Sequence, residues 1–338
     1  MTDTAARQTV RSVRRIFMVF LFAYLTNVQN YHYFYGKLDD FFMMKLQTPV
    51  ECTHSRIGLS YNDRILVLGS CFADNIGQKM VQAGFCVMVN PFGTLYNPVS
   101  VNNALLRLES GEHFTEDDCI KMGAGADLYC SFCHHTSFAR VTKEEFLANA
   151  NTVLDQACNF YQNCNKVIVT LGTSFCYVYN GNVVSNCLKR PQSEFTRVFC
   201  DSSKTEEILN SILSRGAGKD FIFTVSPIRH MADGAAANQY SKSSLIVAVN
   251  NLCNKSGAEY FPAYEIVMDE LRDYRFYAED MLHPTAQTVN YLWERFADFA
   301  LSGEEKEKLL VKEKLFRQSQ HRQMHPDHSA DTLQKNLR

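Results

Sequence analysis

Residues 64–73 read RILVLGSCFA, which joins an apolar run to a glycine and to two residues with nucleophilic side chains. The four apolar residues 65–68 predict a strand that is buried on both faces. Gly69 favours a sharp turn that a Cβ would obstruct, and helical periodicity follows it. A helix N-terminus offers free N–H groups and a positive dipole end, so this turn is suited to expose Ser70 or Cys71 and to stabilise an oxyanion. The alternative interpretation is an ordinary strand–helix turn in which Ser70 only caps the helix.

The same alternation of short apolar runs and helical patterns continues along the chain. It predicts a mostly parallel, five-stranded sheet with helices on both faces. Ligands of such sheets bind beyond the carboxyl ends of the strands, where the unusual residue clusters of this chain fall. Residues 111–140 show no clear pattern, and residues 180–182, Asn-Gly-Asn, indicate a hairpin. The other predicted strands are 86–89, 167–171, 221–225 and 258–261, and the predicted helices are 73–83, 100–108, 143–161, 205–213, 241–253 and 285–301.

Composition argues for a globular protein with a large core. The chain has 338 residues, 46% of them hydrophobic, and its formal net charge of -2 gives no electrostatic case for nucleic-acid binding. Its 12 cysteines are scattered singly through apolar segments. This distribution is typical of free thiols in a reducing compartment rather than of a disulfide scaffold, so we expect a cytoplasmic protein.

The two ends of the chain differ from the predicted domain, which covers residues 44–302. Basic residues precede an apolar run at 16–25, which is shorter than the roughly 20 residues that a membrane-spanning helix needs. Residues 1–43 are either an over-extended reading of the start of the gene or a signal peptide or anchor, which would imply export. We expect no stable membrane span. Residues 303–338 form a charged tail in which 304–318 is predicted to be helical.

An aspartate and a histidine near the end of the predicted domain form a second candidate cluster. Asp280 lies three residues before His283, on an irregular segment that ends at Pro284. A carboxylate at this spacing can hold the imidazole in one tautomer, which leaves the other ring nitrogen free to act as a base. The alternative is a surface Asp–His pair at the start of a helix.

Polar residues that follow other strands extend this candidate site. Gly93, in a Pro- and Asn-rich loop, can bring its N–H close to a bound carbonyl oxygen, although a plain loop explains the segment equally well. The hydroxyls of Thr173 and Ser174 are candidate oxyanion donors. Arg229 is a candidate for binding an anionic group of the substrate, with a structural salt bridge as the alternative.

A Cys-x-x-Cys pair followed by two histidines suggests a different chemistry. Cys130 and Cys133 provide two potential zinc ligands, with His135 as a third. No second Cys pair or spaced His pair completes the set, so we predict neither a metal nor a cofactor. The alternative role for His135 is to line the cleft of the active site.

The blocks quoted above are similar, in content and in order, to those of the GSCFA family, which belongs to the SGNH/GDSL hydrolase-like clan. The resemblance runs from about residue 44 to residue 301. It is carried by residues 69–73, 90–98, 170–174, 224–230, 233–234, 241–242, 262–265 and 280–284.

This resemblance implies a flavodoxin-like three-layer α/β/α sandwich with strand order 2-1-3-4-5. It also implies a hydrolase or acyltransferase that acts on an acyl ester of a small molecule or a carbohydrate. His283 would then be the base and Asp280 the carboxylate that orients it. Asn90 and Gly93 would contribute to the oxyanion hole, and His230 would contact the substrate or oxyanion.

The chain departs from the pattern of the clan at two places. The clan's Gly-Asp-Ser puts its serine two residues after the glycine, and that position here is Cys71, whereas Ser70 is the family-type hydroxyl one residue earlier. Alignment favours Cys71 and hydroxyl chemistry favours Ser70, so both remain candidates. The clan's asparagine in the third block is replaced by Thr173 or Ser174. The alternative function is therefore a binding module that keeps the fold without catalysis.

Overall fold

The structure is a computed structural model that describes residues 47–320. The predictions for residues 1–43 and for the last part of the tail, 321–338, lie outside the described residues. Within residues 47–320, no helix is both long and apolar enough to cross a membrane. All 12 cysteines are described, and all are free thiols.

Five parallel strands form the central sheet, and they are the five that the sequence predicts. The strands are β1 (Arg64–Gly69), β2 (Cys86–Val89), β5 (Lys166–Leu171), β9 (Asp220–Val225) and β10 (Glu259–Phe261). They run across the sheet in the order β10-β9-β5-β1-β2. When these five strands are numbered 1 to 5 along the chain and the sheet is followed from the β2 edge, this is the predicted order 2-1-3-4-5.

Seven longer helices accompany this sheet within the described part of the chain. They are α1 (Cys71–Gln82), α2 (Pro98–Ser110), α3 (Lys143–Asn163), α4 (Ser202–Arg215), α5 (Ala235–Lys255), α6 (Ala286–Ala300) and α7 (Gly303–Gln320). Shorter helical segments occur at Glu116–Asp118, Thr136–Phe138, Gln192–Glu194, Met231–Asp233, Ala263–Glu265, Ile266–Glu270 and Tyr274–Phe276.

Two separate hydrophobic clusters cover the two faces of the sheet. Successive side chains of a strand point to opposite faces, so Ile65 and Val67 pack with α1 and α6, whereas Leu66 and Leu68 pack with α2, α3, α4 and α5. Every central residue of β1 is fully buried because both faces are covered. This arrangement is the predicted three-layer α/β/α sandwich.

Three regions differ from the sequence-based prediction or add to it. Helix α5 begins at Ala235, six residues earlier than predicted, since residues 235–237 are alanines, the strongest helix formers, and Gly234 precedes them. The segment from 175 to 199 contains the predicted hairpin and also a third strand. It forms a small antiparallel sheet in the order β7-β6-β8 from β6 (Phe175–Tyr179), β7 (Asn182–Val184) and β8 (Thr196–Phe199). The segment without a pattern holds the two-residue pair β3 (Ile120–Lys121) and β4 (Tyr129–Cys130), which are too short to show periodicity.

The register of the sheet brings the candidate residues to one edge. Gly69 at the end of β1 pairs with Thr170 of β5, which in turn pairs with Thr224 of β9. The segments that follow these three strands therefore start side by side, at the carboxyl edge where ligands of such sheets bind.

Candidate active site

The turn after β1 is closed by a contact that only glycine allows. Gly69 has φ +135°, and a Cβ added to it would lie 2.0 Å from the carbonyl oxygen of Thr170. The N–H of Ser70 donates to that same oxygen at 3.1 Å. The turn is thus pressed directly against the neighbouring strand, and the direction in which helix α1 leaves it is set by backbone.

Ser70 is the N-cap of helix α1 and is almost completely buried. Its Oγ accepts a hydrogen bond from the N–H of Phe72 at 3.3 Å, and its carbonyl oxygen accepts one from the N–H of Ala73 at 2.7 Å. The side chain is 1% exposed. The capping role considered from the sequence is therefore present.

Cys71 is the first residue of helix α1, and its side chain is partly exposed. The Sγ atom lies 3.4 Å from the Tyr96 hydroxyl, which accepts a hydrogen bond from Thr94 Oγ1 at 3.1 Å. Burial raises the pKa of Tyr96 above its ordinary value, so the phenol keeps its proton and can donate it to the sulfur. The N–H of Cys71 lies in the first turn of the helix, where backbone donors lack helical partners, and it bonds to no described residue. Both features suit a sulfur that carries negative charge.

Asn90 holds the turn at residues 69–71 from the side opposite to β5. Its Oδ1 accepts from the N–H of Gly69 at 2.8 Å, and its Nδ2 donates to Asp74 Oδ1 at 2.6 Å. The residue has φ +42°, a conformation that asparagine tolerates better than most residues. Burial raises the pKa of Asp74. This geometry makes Asn90 a positioning residue between β1 and α1.

The N–H of Gly93 is not free, in contrast to the expectation from the sequence. Its N–H already donates to the carbonyl oxygen of Asn90 at 2.7 Å. The glycine instead permits a close approach, because a Cβ there would lie 2.3 Å from His135 Cβ. The His135 N–H donates to the carbonyl oxygen of Phe92 at 2.9 Å, which holds this segment next to the loop.

Thr173 and Ser174 also differ from the expected oxyanion donors. Thr173 Oγ1 lies 3.0 Å from Ser241 Oγ, and Ser174 Oγ donates to the Ser241 carbonyl oxygen at 3.0 Å. The N–H groups of Gly172 and Thr173 both donate to the carbonyl oxygen of Tyr96 at 2.8 Å. These groups therefore attach the third block to helix α5 and to the Tyr96 loop.

Lys242 lies in one of the blocks that carry the family resemblance, but the sequence analysis gave it no role in the site. It is fully buried, and its Nζ donates to the carbonyl oxygens of Gly172 at 2.6 Å and Ser226 at 2.7 Å. Burial lowers the pKa of Lys242 to about 7. The lysine ties together the ends of β5 and β9. Its signal in the sequence is a lysine on the apolar stripe that continues through Leu245 and Val249 of helix α5.

His230 lies beside the turn at residues 69–71. Its ring packs edge-on against Tyr96 with 5.8 Å between the centroids. Its Nε2 is buried and makes no hydrogen bond with any described residue. Burial, with help from nearby Lys242 and His283, lowers the pKa of His230 to about 4. The imidazole is therefore neutral near pH 7.

Asp280 and His283 form the predicted pair. His283 Nδ1 lies 2.6 Å from Asp280 Oδ2, and Asp280 Oδ1 accepts from the N–H groups of His283 at 3.0 Å and of Leu282 at 2.8 Å. These hydrogen bonds, from the His283 N–H first, lower the pKa of Asp280 to about 2. The side chain of His283 is 47% exposed, and its Nε2 makes no hydrogen bond with Ser70 or Cys71.

Arg229 lies beneath the loop that carries this pair. Its N–H donates to the carbonyl oxygen of Leu282 at 3.2 Å, and its guanidinium donates to that of Met281 at 3.2 Å. The guanidinium also lies 5.8 Å from the centre of the Tyr274 ring and 5.6 Å from that of Tyr277. Arg229 therefore supports the His283 loop, and its role in binding an anion stays a prediction.

The Cys-x-x-Cys segment has no metal-binding geometry. Burial raises the pKa of Cys130 to about 11, so this thiol keeps its proton. Cys130 Sγ donates to the His135 carbonyl oxygen at 3.7 Å, and His135 Nδ1 contacts Ser137 Oγ at 3.0 Å. No group of three or more His, Cys, Asp or Glu side chains suited to a metal ion occurs among residues 47–320. His135 does lie near Asp74, and its charge lowers the pKa of that carboxyl against the larger effect of burial.

Comparison with known proteins gives one match. The family model described as the GSCFA family matches residues 64–296, which contain the turn, the loops and the Asp–His pair described above. Neither a curated protein nor a solved structure matches the chain. Since the matched region covers more than half of the sequence, the chain belongs to the GSCFA family.

Proposed function

We propose that this protein cleaves or transfers an acyl group from an ester, with Cys71 as the nucleophile and His283 as the base. The observation that carries the proposal is the contrast between two neighbouring side chains. Ser70 Oγ is buried and caps the helix, whereas the thiol of Cys71 is partly exposed, at a helix N-terminus and beside a phenol that keeps its proton. A sulfur in this position is suited to attack a carbonyl carbon.

The reaction would follow the logic of a covalent acyl-enzyme. His283 Nε2 takes the proton of Cys71, and the sulfur forms a bond to the carbonyl carbon of the ester. The tetrahedral intermediate then breaks its bond to the alcohol oxygen, which leaves with the proton from His283. Water, activated by the same imidazole, attacks the thioester and releases the carboxylic acid with the free thiol. An alcohol in place of water would give acyl transfer.

Each neighbouring group has a role in this scheme. Asp280 holds His283 through Nδ1 at 2.6 Å and keeps Nε2 as the reactive nitrogen. The N–H of Cys71 and the hydroxyl of Tyr96 are donors next to the developing charge. The scheme requires His283 Nε2 to approach Cys71 Sγ when substrate binds, and the exposed loop that carries His283 is the part of the site that would move.

The test compares Cys71→Ala and His283→Ala with the wild type, with p-nitrophenyl acetate and butyrate as the probe esters. We expect both variants to lose at least about a thousandfold in kcat/KM, because each removes a group that takes part in the chemistry. Intact mass spectrometry during turnover should show one acetyl group on the wild type and none on Cys71→Ala. Wild-type turnover by either variant would refute the assignment.

Matched controls separate chemistry from folding. Cys86→Ala removes an exposed thiol from β2, and His113→Ala removes an exposed histidine paired with Asp155. Both should keep wild-type turnover. Ser70→Ala should lose about 1 kcal/mol of stability through its missing cap and keep the activity, whereas loss of acylation in a folded Ser70→Ala protein would assign the nucleophile to the serine.

A second candidate function is a binding module without catalysis. It is favoured by the open geometry of the site, in which His283 Nε2 bonds to neither Ser70 nor Cys71 of the described chain, and by the engaged hydroxyls of Thr173 and Ser174. A wild-type protein that forms no acyl adduct and hydrolyses neither ester, yet melts at a higher temperature with an acetylated sugar, would support it.

A further inference from the structure

The Nε2 atom of His230 is a buried polar atom without a partner among the described residues. Buried polar atoms of folded proteins are almost always hydrogen-bonded, and an exception calls for an explanation such as a ligand that completes the bond. Such a ligand would have to reach Nε2 where it now lies, because the backbone and the ring of His230 are held by other contacts. The backbone N–H of His230 donates to Asn238 Oδ1 at 2.9 Å, and the ring packs edge-on against Tyr96.

His230 Nε2 lies next to Gly172, on the side of the turn at residues 69–71. A Cβ added to Gly172 would lie 3.3 Å from His230 Nε2 and 3.4 Å from Ser70 Cβ. The missing side chain of Gly172 therefore leaves the imidazole nitrogen facing the residue that precedes Cys71. Tyr96 is shared by both sides, because its ring contacts His230 and its hydroxyl contacts Cys71 Sγ.

The other polar groups after β5 are engaged elsewhere. Thr173 and Ser174 bond to Ser241, and the N–H groups of Gly172 and Thr173 bond to Tyr96. The Gly93 N–H bonds to Asn90. His230 Nε2, by contrast, is a buried polar atom for which the described residues provide no hydrogen bond.

We propose that His230, through a proton on Nε2, donates a hydrogen bond to the substrate carbonyl oxygen and to the oxyanion that forms from it. This inference rests on the proposed acyl-transfer function and adds a catalytic residue to it. A donor fixed in advance at the site of developing charge stabilises the transition state more than the ground state, so its main effect falls on kcat.

The electrostatic surroundings support a neutral imidazole. Burial lowers the pKa of His230 to about 4, and the electrostatic effects of Lys242 and His283 act in the same direction. Tyr96, the other titratable group in contact with the ring, keeps its proton. A neutral histidine has one nitrogen that donates and one that accepts, and a neutral imidazole is an established way to polarise a carbonyl group.

The kinetic test uses three substitutions with different geometry. The amide nitrogen of His230→Gln reaches the position of Nε2, that of His230→Asn reaches only the position of Nδ1, and His230→Ala has no donor. With p-nitrophenyl acetate we expect kcat to fall about a hundredfold in the Ala and Asn variants, with a smaller change in KM, and to stay within about tenfold of wild type in the Gln variant. An Ala variant with wild-type kcat, or an Asn variant that matches Gln, would overturn the proposal.

A second measurement is independent of turnover. Nitrogen NMR of protein labelled with ¹⁵N-histidine, with signals assigned by comparison with His230→Gln, should show His230 neutral and protonated on Nε2 between about pH 5 and 8. A ring protonated on both nitrogens or only on Nδ1 would overturn the assignment. If the wild type turns over neither ester and forms no acyl adduct, the proposed function fails, and this measurement alone decides the state of His230.

Discussion

The two halves of the candidate site are built in opposite ways. The turn at residues 69–71, which carries the proposed nucleophile, has Gly69 and Ser70 buried and is held by bonds to distant parts of the chain, from Thr170 on one side and Asn90 on the other. The Asp280–His283 pair is half-exposed and is held mainly by bonds within its own loop. The turn would hold the proposed nucleophile, Cys71, in a fixed position. The exposed loop would let His283 adjust its distance to the substrate. Substitutions of the residues that hold the turn, Gly69 and Asn90, should therefore act mainly on folding, whereas substitutions in the loop should act on chemistry.

The largest effect is expected from Gly69→Ala in the turn. The added Cβ would lie 2.0 Å from the Thr170 carbonyl oxygen, which is backbone and cannot move aside without disturbing β5. We expect a loss of about 4 kcal/mol in the free energy of unfolding, measured by urea denaturation. Gly181→Ala is the matched control, since Gly181 has φ +82° with no atom near the added Cβ, and it should lose only about 1 kcal/mol. Equal losses in the two variants would mean that the turn is not packed as described.

The second prediction removes the tie between the turn and helix α1. Asn90→Ala deletes the bonds to Gly69 and Asp74 and leaves a buried N–H and a carboxyl without these partners. We expect a loss of about 3 kcal/mol in the free energy of unfolding. Asn180→Ala serves as the control, because Asn180 has φ +47° in an exposed hairpin and so isolates the cost of that conformation. A loss no greater than that of the control would show that the two hydrogen bonds contribute little.

The third prediction concerns pH and separates the buried half from the exposed half. His230 has a folded pKa of about 4, below the ordinary histidine value of 6.5, so the unfolded chain binds a proton more readily between these values. The free energy of unfolding should be highest above about pH 6.5 and decline as the pH falls toward 4. At pH 5 the loss due to His230 should be on the order of 2 kcal/mol. His230→Gln should make the difference between pH 7 and 5 smaller. An unchanged difference would contradict the low pKa.

The smallest effect on stability is expected in the loop. Asp280 has a folded pKa of about 2, so its contribution is present above its ordinary pKa near 4 and is lost only as the pH falls toward 2. Because both side chains of the pair are half-exposed, Asp280→Asn should lower the urea midpoint at pH 7 only slightly, while it lowers kcat for the probe ester because His283 loses its orienting carboxylate. A large shift of the midpoint would show that the loop belongs to the rigid half.

Much of the fold was predictable from local sequence. Apolar runs such as 65–68 mark strands buried on both faces, and their alternation with amphipathic helices leads to a parallel sheet. The Asp280–His283 pair was also predictable, because three residues of irregular chain bring the two side chains together without help from the rest of the molecule. The role of Lys242 was not predicted, because its charge opposes its burial and its partners are carbonyl oxygens far away in the sequence.

The sequence by itself determined the five strands, the turn at Gly69 and the local Asp280–His283 pair, since periodicity and short-range geometry need no knowledge of distant contacts. Tertiary structure alone decided that Ser70 is enclosed as a cap while Cys71 stays accessible, and that Thr173 and Ser174 bond to Ser241 of helix α5. It also decided that His230 Nε2 stays without a partner beside the turn. The physical reason is that a side chain's direction at a tight turn, and the partner it meets there, depend on elements that pack from elsewhere in the chain.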